Sequence, residues 1–330
     1  MKLFEYAAPR TEAEVLQVLS PEFGKTEILA GGTDLIGLMK KMIVTPDRVV
    51  NIMNVPTLQG IEPTDEGGVR IGAATTLDVV RTSPYMKPYS AVLQAIAGIN
   101  SLQLQAQGTI GGELCRRPQC WFFRNGEGLF WSSRHGTGER DDRYHAIFDN
   151  EGPARFVSAS RIAPALIALG ARLRVIGPRA EDEQWVPASA FFQKPKHEQQ
   201  KETILRPDQL LTHIELPPVD GWLSATYEVR QSVGPDAPLA AAACAFRHSG
   251  GIVREARIVL GQVAPTPWYS HEAVAALVGM PVTVETAEIA GQAAVQRARP
   301  LNNNAYKVQL AKVAVKRAIL LAAGMNPGGF

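Results

Sequence analysis

The chain has 330 residues, 45% of them hydrophobic and 20% charged, which is too long for one ordinary core and points to two or three globular units. Its 34 basic and 32 acidic residues are interspersed and leave a formal net charge of +2, so no strong attraction to nucleic acid or to a membrane surface is expected. No stretch reaches the ~18 apolar residues that span a bilayer, residues 1–6 lack the pattern of a secretion signal, and Cys115, Cys120 and Cys244 form no disulfide framework; a cytoplasmic protein is expected.

In chain order, residues 11–19 have helical spacing, with Thr11 as N-cap and Glu14 placed for a capping box. Ile28 and Leu29 read as a buried strand that ends at Gly31 and Gly32, after which Thr33 or Asp34 caps a helix over residues 35–42. Two residues without a Cβ let successive main-chain amides point at one spot, a geometry that suits a phosphate without any lysine or arginine. Alone, such a pair at a strand-to-helix junction is more often just a tight turn. Residues 48–52 read as a second strand, residues 58–61 and 69–73 as a hairpin turning at Gly67 and Gly68, and helices start at Thr76 and Ser90. This is an α+β pattern of short elements, not a regular βαβ alternation.

A second glycine pair, Gly111 and Gly112, follows Thr109; two such turns could grip a pyrophosphate from both sides, and ordinary hairpin turns are the plain alternative. Strands are expected over residues 155–160 and 171–176, with an apolar helix over residues 162–170 between them, buried at the heart of a second α/β lobe. Residues 209–216 read as a strand stopped by Pro217 and Pro218, the expected domain boundary. Beyond it come strands over residues 223–229, 239–247 and 253–260, then amphipathic helices over residues 284–295 and 305–321. The second of these carries its lysines and arginine on the outer face.

Four stretches now stand together: Ile28-Leu29-Ala30-Gly31-Gly32-Thr33-Asp34-Leu35, Gly108-Thr109-Ile110-Gly111-Gly112, residues 162–170, and residues 260–267 ending in Val263-Ala264-Pro265-Thr266-Pro267. With residues 298–307 they resemble the FAD-binding medium subunit of the molybdenum hydroxylases, the xanthine dehydrogenase, carbon monoxide dehydrogenase and bacterial aldehyde oxidoreductase enzymes. The resemblance covers essentially the whole chain. It implies a two-lobed FAD-binding domain of the vanillyl-alcohol-oxidase type over residues 1–219 and a C-terminal flavoprotein domain over residues 220–330, a three-stranded antiparallel sheet with helices.

By that resemblance, Leu29, Ala30, Gly31, Gly32, Thr33, Asp34 and Leu35 form the loop that holds the FAD pyrophosphate, and Thr109, Gly111 and Gly112 close on it. Glu113, Arg161, Ile162 and Glu228 fall at positions expected to touch the cofactor, and Leu210 or Leu211 lies near the isoalloxazine. Glu113 replaces the family's usual asparagine, Arg161 its aspartate and Glu228 its lysine. Arg161 could offset the change by pairing with Glu113 or with the pyrophosphate; alternatively, flavin affinity is weakened. No motif for covalent attachment is present, so the FAD is expected to be noncovalent.

Residues 114–150 resemble an insertion that supplies four cysteines to an extra [4Fe–4S] cluster in part of the family. Here it holds only Cys115 and Cys120, so no cluster is expected, and a zinc site completed by His135 or His145 is less simple than a solvated loop histidine. Trp121, Phe122 and Phe123 are expected to pack the insertion down or to meet a partner. The implied function is electron transfer: a molybdenum-cofactor large subunit oxidises the substrate, a small subunit passes electrons through two [2Fe–2S] clusters, and FAD in this chain hands them to an external acceptor. A flavin-free structural subunit and a free-standing FAD oxidase are the alternatives. Export of the folded complex with a signal-bearing partner also stays open.

Overall fold

The computed structural model describes residues 1–130, 141–232, 234 and 236–328, and His135 lies outside them. The elements in chain order are β1 (Glu5–Ala7), α1 (Glu12–Val18), β2 (Thr26–Leu29), α2 (Leu35–Lys40), β3 (Arg48–Asn51), β4 (Ile61–Pro63), β5 (Val69–Gly72), α3 (Leu77–Thr82), α4 (Ser90–Gly98), α5 (Leu102–Gln107), α6 (Ile110–Leu114) and α7 (Trp121–Arg124). They continue with α8 (Ala163–Ala168), β6 (Arg172–Ile176), β7 (Glu183–Pro187), α9 (Ala188–Phe191), β8 (Leu210–Leu216), β9 (Leu223–Val229), β10 (Ala240–Ser249), β11 (Ile252–Gly261), β12 (Trp268–Tyr269), α10 (His271–Leu277), α11 (Val284–Ala294) and α12 (Tyr306–Ala322).

The chain divides into two compact units. The first comprises Met1–Met86, Ser101–Leu129 and Gly170–Pro218; the second comprises Lys87–Asn100, Phe130–Leu169 and Val219–Phe330. In the first, β1, β3 and β2 form a parallel three-stranded sheet in that order. An antiparallel sheet follows in the order β4-β5-β8-β6-β7, so β8, late in the chain, is inserted between β5 and β6. Val15 and Leu16 of α1, Val50 of β3 with Ile52 just after it, and Ile176 and Leu210 of the larger sheet share one core, which joins the two sheets into a single unit. Thr11 caps α1 through the Glu14 amide at 3.2 Å, but the Glu14 carboxylate reaches back to the Arg10 amide at 2.7 Å rather than to Thr11 itself. The capping box is therefore displaced by one residue.

The second unit is built on an antiparallel sheet in the order β12-β11-β10-β9. It has four strands, not the three expected, because Trp268 and Tyr269 add a two-residue strand against Leu260 and Val259. Alternate residues Ala240, Ala242, Cys244 and Phe246 of β10 face a core filled by Ala311, Ala314, Val315 and Ala318 of α12. Residues 155–160 do not form the strand expected of them. They run as irregular chain whose amides and carbonyls are taken singly, the Arg155 carbonyl by the Ala146 amide and the Ser158 amide by the Ala264 carbonyl. The apolar helix α8 is buried along its whole length, yet it packs on β10 and β11 of this unit, not between strands of a second lobe.

Lys307 is a further correction. It is not on the outer face of α12 but is 1% exposed, and its Nζ donates to the carbonyls of Tyr144, His145 and Gln262 at 3.2, 3.1 and 2.7 Å. The motif at residues 298–307 thus ties the end of the insertion to α12: Asn304 Nδ2 also donates to the His145 carbonyl, and Asp142 accepts from the Asn302 and Asn303 amides.

Candidate functional site

In the first unit the glycine loop opens on a cavity of about 450 Å³, within the roughly 300–1,000 Å³ usual for small-molecule sites. Ala30, Gly31, Gly32, Thr33, Asp34 and Leu35 line it, together with Thr109, Gly111, Gly112, Leu210 and Leu211. Ile28 and Leu29 end β2 half-buried, not buried: Ile28 packs on the core and also lines the cavity, and Leu29 is not part of the cavity's lining.

The loop conformation follows from its glycines. Gly32 sits at φ +70°, in the left-handed region that L side chains avoid, and a Cβ on Gly31 would lie 1.7 Å from the Gln107 carbonyl oxygen. The consequence is a tight turn that lines the cavity. No acceptor within the described residues takes the N–H groups of Gly31, Gly32, Thr33 or Asp34. Neither Thr33 nor Asp34 caps α2 with its side chain. The Asp34 carboxylate points elsewhere, accepting from the Arg117 amide at 3.1 Å and pairing with Arg124 at 2.8 Å.

The second glycine pair is not a turn but the first turn of α6, with Thr109 as N-cap. Its amides are already engaged: Gly111 donates to the Ala73 carbonyl at 2.9 Å and Gly112 to Thr109 Oγ1 at 3.1 Å. Gly111 is packed on Ala73, whose Cβ would lie 2.7 Å from a Cβ added there, so Gly112 alone offers the cavity a wall without a side chain, where a flat or extended ligand can approach the backbone. Glu113, one residue on, is buried in α6 and forms an ion pair with Arg116 at 3.4 Å, which raises the arginine's pKa.

A strap over residues 193–209 forms the far wall. Gln193 holds it, donating through Nε2 to the carbonyls of Lys201 and Thr203 at 3.2 and 2.6 Å. Lys201 pairs with Glu27 at 2.7 Å and Glu202 with Arg117 at 2.9 Å, so the buried charges of this wall are matched. Burial nevertheless holds the Glu202 carboxyl above the usual carboxylate range, and its Oε1 has no hydrogen-bond partner among the described residues.

Arg161, Ile162 and Glu228 belong to the second unit. Arg161 and Glu228 form one buried ion pair, Nε to Oε1 at 3.0 Å and Nη2 to Oε2 at 2.5 Å, with their side chains 2% and 4% exposed. Arg161 Nη2 also donates to the Gly98 carbonyl, and Arg230 makes two further hydrogen bonds to Glu228 Oε2. Ile162 lies beside them at the start of α8. The two sequence departures at 161 and 228 therefore meet each other.

In the insertion, α7 presents Phe123 inward and Trp121 outward, with Arg117 and Arg124 stacked on the Phe123 ring. Cys115 lines the cavity, Cys120 is half-buried and Cys244 is in the core of the second unit. No group of three or more metal-ligating side chains occurs among the described residues.

Comparison with known proteins accords with this geometry. The model for the FAD binding domain in molybdopterin dehydrogenase matches residues 2–219, and that for the CO dehydrogenase flavoprotein C-terminal domain matches residues 225–322. The chain is 28% identical to the aldehyde oxidoreductase FAD-binding subunit PaoB of Escherichia coli, over 94% of this chain and 96% of that one. It is also 28% identical to the carbon monoxide dehydrogenase medium chain of Hydrogenophaga pseudoflava, over 96% of each. The solved carbon monoxide dehydrogenase of Hydrogenophaga pseudoflava lacking the Mo-pyranopterin moiety superimposes with a TM-score of 0.76 at 27% identity, covering 97% of both chains.

Proposed function

The chain belongs to the family of FAD-binding medium subunits of molybdenum hydroxylases, and from that premise we propose that it is the electron-transfer subunit of a heteromeric enzyme, taking electrons from [2Fe–2S] clusters on a small subunit and delivering them to an external acceptor. Substrate oxidation then belongs to a molybdenum-cofactor large subunit. The observation that carries this reading is the run of four unpaired amides, Gly31 to Asp34, at the mouth of a cavity walled by bare backbone.

The residues fit FAD. The amides of Gly31, Gly32, Thr33 and Asp34 would donate to the pyrophosphate oxygens, replacing water with fixed dipoles. Gly112 leaves room for the chain of the dinucleotide against α6. Leu210 and Leu211 give the same cavity an apolar wall, which suits a ring that must be kept from water. Bound FAD supplies the ability to take electrons singly and release them in pairs. The protein's part is to hold the cofactor and exclude solvent; no general acid or base is needed on this chain.

The experiment is titration of the purified apoprotein with FAD, read by flavin absorbance and fluorescence, with the cofactor identified after heat release. One FAD per chain is expected. A folded protein that takes up no FAD refutes the proposal and leaves a structural subunit as the reading of this fold.

A further inference from the structure

The start of the insertion, Cys115 to Arg124, lacks a cluster ligand set, yet it is fastened to the glycine loop at one residue. Arg124 Nη2 lies 2.8 Å from Asp34 Oδ1, and the Arg117 amide donates to Asp34 Oδ2 at 3.1 Å. Arg124 is itself held in place: its Nε donates to the Pro118 carbonyl at 2.8 Å, its Nη2 donates to the Arg117 carbonyl at 2.8 Å, and its guanidinium stacks on the buried Phe123 ring. Lys41, just past α2, donates to the Arg124 carbonyl at 3.2 Å, closing the link from the other side. The Arg124 and Asp34 side chains are 18% and 19% exposed, so water screens the pair weakly.

Asp34 has two faces. Its amide is one of the four unpaired donors of the loop that lines the cavity, while its carboxylate carries a negative charge within the same residue. A pyrophosphate entering this loop meets an amide dipole that attracts it and a carboxylate that repels it. We propose that Arg124 is a positioning residue for the dinucleotide: it turns the Asp34 carboxylate away from the cavity, cancels its charge, and so leaves the loop amides as the field that the pyrophosphate feels. The first part of the insertion then serves the flavin site by holding that carboxylate. This rests on the FAD-binding reading above.

The test is FAD affinity of the full chain, measured by flavin fluorescence, for wild type, R124M, D34N, the double variant D34N/R124M and R124K. R70M serves as control, because it breaks an ion pair of similar length, Arg70 to Glu215 at 3.0 Å, on the five-stranded sheet away from the loop. Melting of each apoprotein separates loss of fold from loss of binding. R124M should bind FAD about 10-fold or more weakly, the size expected when a carboxylate beside an anion loses its ion-pair partner.

D34N in the R124M background removes that charge and should recover binding several-fold, an effect a purely structural strut would not produce. R70M should leave FAD affinity unchanged. If R124M does not fold, R124K carries the test: it keeps the charge and should stay within about five-fold of wild type. The proposal is overturned if R124M binds FAD within about two-fold of wild type, if D34N/R124M is no better than R124M, or if R124K is as weak as expected for R124M. A wild type that folds but takes up no FAD sinks the FAD-binding reading, and this proposal with it; in the other failures wild type still binds and that reading stands.

Discussion

The buried cluster of Arg161, Glu228 and Arg230 yields an asymmetry that can be measured. Glu228 is the carboxylate shared by two guanidiniums, taking two hydrogen bonds from Arg161 and two from Arg230. E228L strips the counter-charge from both arginines at once, in a site where the side chains are 2–4% exposed at the pair itself. Breaking a buried pair by removing one partner costs about 3–5 kcal/mol. R161L, by contrast, leaves Glu228 with Arg230 and exposes one carboxylate oxygen to loss of a partner, worth about 1–3 kcal/mol. Thermal unfolding of the apoprotein, free of any contribution from bound flavin, reads the difference. At about 2–4 °C per kcal/mol for a domain of this size, E228L should melt about 6–20 °C below wild type and R161L about 2–12 °C below, with E228L the lower of the two. Equal shifts, or a larger one for R161L, would refute the view that Glu228 is the hub of the cluster.

Lys307 makes a second prediction. K307M should cost about 2–4 kcal/mol, since the carbonyls of Tyr144, His145 and Gln262 lose their shared donor. Burial pushes the Lys307 ammonium down to about 7, so from there up to the ordinary lysine value the native state binds fewer protons than the unfolded chain. Stability contributed by this group therefore rises with pH across that window, and denaturant titrations from pH 7 to 10 should show the rise in wild type and not in K307M. T109V, which removes the hydroxyl that accepts from the Gly112 amide, should cost about 1 kcal/mol through loss of the α6 cap, seen as a lower denaturation midpoint at unchanged slope.

The sequence disclosed the elements whose pattern has a direction. β9 is found at Leu223–Val229, the run expected, and Thr11 and Thr76 cap their helices because a hydroxyl at that offset can only serve the first turn. Elements without a direction were placed wrongly or missed. The helix α8 is apolar on every face, so nothing in its spacing says which sheet it covers, and its partner proved to be β10 and β11. Residues 155–160 read as a strand, but their polar groups find isolated partners and no ladder. β12, two residues after a proline, is too short to have a period. Lys307 follows the helical repeat of its neighbours, and only the three carbonyls brought to it by other segments make a buried lysine tolerable. The Arg161–Glu228 pair was illegible for a related reason: the two residues stand 67 apart in sequence, and each looked like a separate defect.

Intact glycines at 31 and 112 argue for a retained flavin site only where the fold does not itself require them, and the structure separates the two cases. Gly31 is demanded by packing: its Cβ would fall 1.7 Å from the Gln107 carbonyl oxygen and 2.6 Å from its carbon, backbone atoms that cannot step aside. G31A should therefore destabilise the protein whether or not it binds a cofactor. Gly112 is different. It is exposed to the cavity, at an ordinary helical φ, and the closest atom to its Cβ position is the Thr109 hydroxyl oxygen at 2.9 Å, the end of a small side chain. The fold has little use for a glycine there, and an alanine even has the better helix propensity, by about 1 kcal/mol. G112A should leave the apoprotein's melting temperature within a few degrees of wild type, yet weaken FAD binding about 10-fold by placing a methyl group on the wall the dinucleotide approaches. If G112A binds FAD as wild type does, Gly112 is not part of the cofactor's wall, and the cavity must be filled from the glycine loop and the strap alone.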